Sequence, residues 1–300
     1  MPRHGLVLLA AASLSLVIVS PVVGQQAPAA SPTVTLVDAG EGPRQELRYR
    51  FEEGYSEQLA LDLTTRTGMS MAGQQMPAVA IPVRMLMTIR TTEVADDGTA
   101  RFEFDTTSVE LGGDLANAGL GNLAGNAGLS GWIRVDSRGN TIEGGVTPPT
   151  GADPGVSQIT DGFEQSLQQM SAPLPAEPVG IGARWQVVTS VDGGGFTISQ
   201  TADYTLASRN GDDCEMAVAL TQTAPAQPFN VPGMPPGTEA RLESLEGTGD
   251  GTMRINLARL VPTSEASMSL TGALGIAIQG MSMQMGLNIE NEVSIAPAAD

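Results

Sequence analysis

From Glu46 almost to the end of the chain, apolar side chains recur at every second position, in unusually long runs. Leu59, Leu61, Leu63, Thr65, Thr67, Met69 and Met71 share one phase, and Val79, Ile81, Val83, Met85, Met87 and Ile89 share the next. A period of two is that of a strand with one buried face. The runs exceed the usual strand of about five or six residues, so they predict long strands in one extended sheet. Asp96–Gly98, Asp136–Asn140 and Asn210–Asp213 fall between runs and carry the Asp, Asn and Gly of hairpin turns. Near the end, apolar residues move from even positions (Met268, Leu270, Leu274, Ile276, Ile278) to odd ones (Met281, Met283, Met285, Leu287, Ile289). That switch across Gln279 and Gly280 predicts a two-residue hairpin with Ile278 opposite Met281. The expected fold class is mainly β: a large curved antiparallel sheet, either an open barrel or two-layer β, with one amphipathic helix.

The interruptions set the domain plan. Arg3 and His4 followed by an apolar run from Leu6 to Val19 read as a secretory signal peptide over 1–24. The run is shorter than the ~20 residues of a membrane span. Residues 25–45, rich in Ala, Pro, Gln and Gly, read as a flexible tether. Residues 46–297 form one β-rich domain, with a boundary near 175 between two related halves. The glycine-rich stretch 112–131 reads as a loop, as does 224–238 with its five prolines. Asp153 as N-cap and Pro154 as first residue open a helix over 154–170, with Ile159, Phe163, Leu167 and Met170 on one stripe. Pro173 and Pro175 stop it.

Residue inventory excludes much chemistry. All 15 basic residues are Arg, the single His is His4 and the single Cys is Cys214. Ser-His-Asp and Cys-His catalysis, lysine Schiff bases, zinc fingers and a P-loop lysine therefore lack their residues. Loss of the first 24 residues leaves 14 Arg against 33 acids, a charge of −19. Nucleic acid binding requires cationic surface, so no nucleic-acid partner is expected. The turn sequences lack the distal acid of a full calcium loop, and no metal or cofactor is expected. Glu243 with Glu246, or Glu290 with Glu292, are the acid pairs that a hydrolase would use, and both read as exposed strand acids. With 11 aromatic residues the chain is too poor in Trp, Tyr and Phe for the two girdles of an outer-membrane barrel, and a monomer that does not span a membrane is expected. The methionines are the candidate site. Met69, Met71, Met85, Met87, Met281, Met283 and Met285, with Phe163 from the helix, would form a deformable apolar face able to repack around a ligand.

Three segments carry a family resemblance: 47–54 (LRYRFEEG), 93–102 (EVADDGTARF) and above all 174–185 (LPAEPVGIGARW). Across most of 46–295 the chain resembles an uncharacterised family of exported bacterial β-rich proteins, known as a domain of unknown function. The resemblance brings no catalytic residues. The Pro-Val-Gly-x-Gly-x-x-Trp segment reads as a structural corner whose Trp185 fills the core. At fold level only, long antiparallel strands plus a helix resemble the open barrels of periplasmic lipoprotein carriers. The function expected is that of a non-enzymatic exported protein of the bacterial cell envelope, periplasmic or extracellular. It would bind an apolar or lipid-like ligand on the Met face. A structural or protein-interaction module of the envelope is the alternative, and a carboxylate-dependent hydrolase is the third.

Overall fold

The computed structural model describes residues 32–71, 74–112, 129–147, 172–192, 196–229, 238–278 and 281–298. In chain order the strands are β1 (Thr33–Asp38), β2 (Glu41–Gln45), β3 (Ser56–Met71), β4 (Gln74–Gln75), β5 (Val79–Val94), β6 (Ala100–Leu111), β7 (Ser130–Val135) and β8 (Thr141–Thr147). They continue as β9 (Val179–Ile181), β10 (Arg184–Asp192), β11 (Thr197–Asn210), β12 (Asp213–Ala224), β13 (Gln227–Phe229), β14 (Thr238–Asn256), β15 (Thr263–Ile278) and β16 (Met281–Pro297). Fourteen of them make one antiparallel sheet in the order β1-β10-β11-β12-β14-β15-β16-β3-β5-β6-β7-β8, with β4 beside β3 and β13 beside β14. The sheet is not closed into a barrel: among the described residues nothing pairs β1 with β8. The last hairpin has the expected register, Ile278 opposite Met281.

Two expectations meet a different structure, and a third, the helix, falls outside the described residues. No helix occurs among the described residues, and the segment 154–170, with Phe163, lies outside them, as does 113–128 of the glycine-rich stretch. The tether 25–45 contains two strands: β1 pairs with β10 as an edge of the main sheet, and β2 pairs with β9. Short edge strands with exposed side chains leave little alternation to read. Conversely, Leu47, Tyr49 and Phe51 alternate perfectly and are buried, yet 46–52 is not a strand. Alternation reports burial, and this segment buries every second residue without a ladder partner.

That segment ties the two ends of the open sheet together. Tyr49 N–H donates to the Ser137 carbonyl in the β7–β8 turn at 2.7 Å, and Arg50 N–H donates to the Leu257 carbonyl just past β14 at 2.6 Å. Arg50 also pairs with Asp212 in the β11–β12 turn. The Tyr49 ring stacks on Phe51 with centroids 5.2 Å apart, and Phe51 meets Phe102 of β6 edge-on at 4.8 Å. From the other side, Leu174 N–H donates to the Arg138 carbonyl at 2.8 Å, and the Trp185 indole donates to the Pro173 carbonyl at 3.0 Å. Trp185 is fully buried at the start of β10 and stacks on Tyr204, whose hydroxyl is pushed up to about 12 by burial. One core therefore runs from Trp185 and Tyr204 through Tyr49 to Phe102, Phe104 and Ile133. A second cluster, with Leu242, Leu245, Leu270, Leu274, Ile276, Leu287 and Ile289, occupies the middle and far end of β14–β16.

Strand β14 runs tight against β15. Gly247, Gly249 and Gly251 hold the buried phase of that strand, where any side chain would collide with β15: a Cβ on Gly247 would stand 2.7 Å from Leu270 Cγ, and one on Gly251 2.8 Å from Ala266 Cβ. Absent side chains at three successive inward positions let the neighbouring strand fold in closely.

Turn chemistry accounts for the acid-rich loops. Asp136 Oδ1 accepts from the amides of Arg138 and Asn140, and Asp97 Oδ1 from the amide of Thr99, which holds the Asp97 carboxyl below its ordinary value. Gly98, Gly139 and Gly211 supply the positive φ of each turn. Gly139 does more, since a Cβ there would lie 2.7 Å from the Ala172 carbonyl oxygen and 2.8 Å from Tyr49 Cε2, within the bridge itself. Gly139→Ala is expected to lower stability by about 2–5 kcal/mol, from left-handed strain plus overpacking. Gly211 has φ of 61° but open space around it, so Gly211→Ala should cost only about 1–2 kcal/mol. Urea unfolding midpoints of the two variants separate strain from close approach.

Candidate apolar ligand face

All the strand methionines for which side chains are described stand in the buried phase of their strands, but they pack in different surroundings. Met85 and Met87 of β5 are buried in the core that contains Tyr49 and Phe102. Met285 of β16 is buried in the second cluster, and half-buried Met69 of β3 packs against it. Met71 and Met283 lie one step further out, 40% and 41% exposed, in the same phase. Met281 pairs through its backbone with Ile278, and its side chain, like Phe163, lies outside the described residues. The register brings the outer set together: Met71 is opposite Met285, and Met69 opposite Leu287. Met76, in the connection from β3 to β5, and Val79, the first residue of β5, are exposed as well. The result is a rim of exposed apolar side chains at one end of β3, β5 and β16, continuous with buried apolar residues behind it. The bridge around Tyr49 lies at the opposite end of the same strands; β3 alone separates the two ends by roughly 50 Å.

Between rim and bridge the buried face turns polar. Thr189 pairs with Gln200, and Gln200 with Gln222, on three neighbouring strands. Followed across the sheet, the same row passes through Gly247, Leu270 and Ile289 to Thr67. Asn291 and Thr65 pair in the adjacent row. Gln222 and Asn291 are each only 2% exposed, and Thr67 9%. Gln222 Nε2 donates to Gln200 Oε1 at 2.6 Å and Thr65 donates to Asn291 Oδ1 at 2.8 Å. Gln222 Oε1, Asn291 Nδ2 and the hydroxyls of Thr67 and Thr189 are buried without a protein partner. A buried polar atom left unpaired costs about 1–3 kcal/mol; with Thr106 and Thr141, six side-chain polar atoms among the described residues stand so, and four of them lie in or beside this row. This row separates the two clusters: along β11 it divides Ile198 from Ala202, and along β3 Met69 from Leu61. The sequence marks it as polar residues at apolar-phase positions, such as Asn291 between Ile289 and Val293, a signal that periodicity counts pass over.

Charge is segregated with equal strictness. Along β3 beyond Leu59, and along β5, β12, β14, β15 and β16, every Arg, Asp and Glu stands out of phase with the buried residues. The acid pairs considered for hydrolysis, Glu243 with Glu246 and Glu290 with Glu292, are all exposed, and Glu292 pairs with Arg66 at 3.0 Å.

A hollow of about 340 Å³ opens at the bridge end, lined by Glu57, Leu59, Cys214, Arg254, Arg259 and Val261 among others. Glu57 is in the buried phase of β3. Burial raises its carboxyl above the ordinary value, while the Tyr55 hydroxyl, which donates to it at 3.2 Å, and the Arg259 charge pull the other way. Burial pushes the Cys214 thiol up, Arg209 opposes it and Asp213 and Asp212 add to it, which favours the neutral, packed thiol. Sequence reasoning missed this hollow, because its walls come from strands far apart in the chain.

Comparison with known proteins adds little chemistry. Residues 159–259 match a family of unknown function, DUF6263. No curated protein matches the chain in sequence. Among solved structures, an outer membrane channel from Pseudomonas putida F1 is similar at 10% identity and a TM-score of 0.20, over 83% of this chain and 97% of that one. A protein assigned as AttH from Nitrosomonas europaea is similar at 4% identity and a TM-score of 0.13, over 79% and 92%. The fold and the site therefore rest on this chain's own geometry. Among the described residues no helix is long and apolar enough to cross a membrane.

A carboxyl whose folded value is raised destabilises the fold once it ionises. Stability from Glu57 is full below its ordinary value near 4.5 and is lost as pH rises through the raised folded value. Glu57→Gln should therefore gain stability relative to the natural chain between pH 4 and pH 7, read as a growing gap in urea midpoints.

Proposed function

We propose that this is a non-enzymatic protein of the bacterial cell envelope that holds an apolar, lipid-like molecule on the buried face of its open sheet. The observation that carries the reading is the exposed rim of Met71, Met76, Val79 and Met283, continuous through Met69 and Met285 with the apolar interior. Isolated exposed apolar residues are ordinary, but a contiguous group at the mouth of an apolar interior marks a contact site. Methionine suits such a mouth because its unbranched thioether adapts to ligands of varied shape. The leader-like segment 1–24 supports export, and the acidic, Lys-free composition supports a soluble existence outside the cytoplasm. The outward placement of the paired acids supports a binding role over hydrolysis.

Purified after export, the protein should bind the neutral fluorophore N-phenyl-1-naphthylamine in detergent-free buffer, and native mass spectrometry should show retained apolar molecules. Met71→Glu with Met283→Glu, both at exposed positions, should leave the urea midpoint within about 0.5 kcal/mol. The same pair should weaken fluorophore binding at least about fivefold, since charge at the mouth must be desolvated on binding. Unchanged binding in that variant, or no binding by the natural chain, would overturn the proposal.

A further inference from the structure

We infer that the methionine rim is also a soft-metal site. Met71, Met76 and Met283, backed by Met69 and Met285, offer an all-thioether ligand set to a monovalent, sulfur-seeking ion of the copper(I) class. The inference does not rest on the apolar-ligand proposal, since it uses the sulfur atoms of these residues and not their apolar surface.

Register brings the sulfurs together. Six of the 14 methionines fall within 69–76 and 281–285, and the same four residues, Gly-Met-Ser-Met, stand at 68–71 and at 280–283. Strands β3 and β16 lie side by side, with Met71 directly opposite Met285. Met283, two residues before Met285, shares its face and is diagonal to Met71. On the other flank of β3, Gln74 is opposite Met71 and Gln75 opposite Ser70, and the Met76 amide donates to the Met69 carbonyl at 2.7 Å. That ladder sets Met76 opposite Met69 and diagonal to Met71. Opposed side chains of an antiparallel pair have Cβ atoms about 4.5–5.5 Å apart, and diagonal ones stay within reach of long side chains. Met71 is therefore the centre of the group, with every other thioether an opposite, diagonal or same-strand neighbour.

Access and donor chemistry decide what the group takes. Met71, Met76 and Met283 leave 40%, 45% and 41% of their surface to solvent, so an ion reaches them without rearrangement of the core. The thioether is a neutral, polarisable sulfur on a flexible stem, and soft donors of this kind select copper(I) over hard cations. No harder ligand competes on this face: along β3 beyond Leu59 and along β16, every Arg, Asp and Glu points the other way. Cys214 is buried and belongs to the core at the bridge end. An apolar rim alone would not need sulfur. In β3 the buried phase reads Leu59, Leu61 and Leu63 near the bridge and turns to Met69 and Met71 only towards the rim. That the turns lack a calcium ligand set has no bearing on thioethers.

Silver(I), a redox-inert ion of the same preference, tests the site on the full exported chain in chloride-free buffer. Native mass spectrometry should show one silver ion held per chain. In methyl NMR spectra the resonances of Met71 and Met283 should shift, while those of Met85 and Met87, buried in the bridge core, stay in place. Copper(I), added without oxygen against the chelator bicinchoninate, should bind with the same stoichiometry, and excess zinc(II) should not displace silver. Met71→Leu with Met283→Leu keeps volume and apolarity, so the variant should fold with little loss of stability. It should weaken silver binding at least about tenfold, the low end of what loss of even a supporting contact costs at a metal site. The same variant should still bind N-phenyl-1-naphthylamine. No silver held by the natural chain, equal affinity in the leucine variant, shifts confined to other methionines or displacement by zinc(II) overturns the inference and leaves the apolar-ligand proposal standing. Silver held by a natural chain that binds no fluorophore overturns that proposal alone.

Discussion

An antiparallel sheet that stops short of closing has no ladder of hydrogen bonds between its first and last strands, so side chains must hold its ends together. Here that task falls on Tyr49 and its neighbours. Two backbone hydrogen bonds, to Ser137 and Leu257, and the aromatic series Tyr49, Phe51 and Phe102 link the β7–β8 end to the β11–β14 end. Leu174 and Trp185 close the same junction from behind. Each bond alone is worth about 0.5–1.5 kcal/mol net, whereas burial of four aromatic rings contributes several times as much. The bridge is therefore chiefly an apolar plug, and its hydrogen bonds fix where the plug sits.

Everything else follows from one face being reserved for burial. Because side chains alternate strictly, sorting charge to odd or even positions sorts it to one side of a sheet many strands wide. The acidic surface and the uncharged interior are thus the same fact seen from two sides. Where the buried phase departs from apolar residues, it does so in two ways with different effects. Glycines at 247, 249 and 251 remove bulk where β15 stands too close for a Cβ. Gln222, Thr67 and Asn291 add buried hydrogen-bonding groups that are only partly paired or unpaired.

Most of the sheet was legible because a half-buried strand writes its period directly into the chain. The runs 59–71, 79–89 and 281–295 mark β3, β5 and β16, and the change of apolar phase after Ile278 predicts the register of β15 on β16. The strands β1 and β2 were not legible, since β2 is exposed throughout and β1 offers only Val34 and Leu36 to the core, too short a run to outweigh the Ala, Pro and Gly that point to a tether. Leu47, Tyr49 and Phe51 misled for the opposite reason: their alternation reflects a groove between two sheet ends, which no local pattern distinguishes from a strand. As for the site, the methionine phase was readable, but its division between two clusters and a rim depends on where the bridge lies. The polar row was written in the sequence too, as breaks in phase. It carries meaning only once the register aligns Thr189, Gln200 and Gln222 on adjacent strands.

The placement of bridge and rim at opposite strand ends has a mechanical sense. A sheet tied at both ends would need to break backbone pairing or core contacts to admit a bulky molecule. Among the described residues the sheet is tied around Tyr49, and strands of 16 and 17 residues such as β3 and β16 carry their ladders to the far end, where Met69 and Met285 pack in the second cluster. Dispersion between unbranched methionines is individually weak and tolerant of rearrangement, so packing at that end is replaced by ligand contacts at little loss. The stiff aromatic core and the deformable methionine rim are then complementary: rigidity is concentrated where the fold must be held, and adaptability where the interior meets solvent.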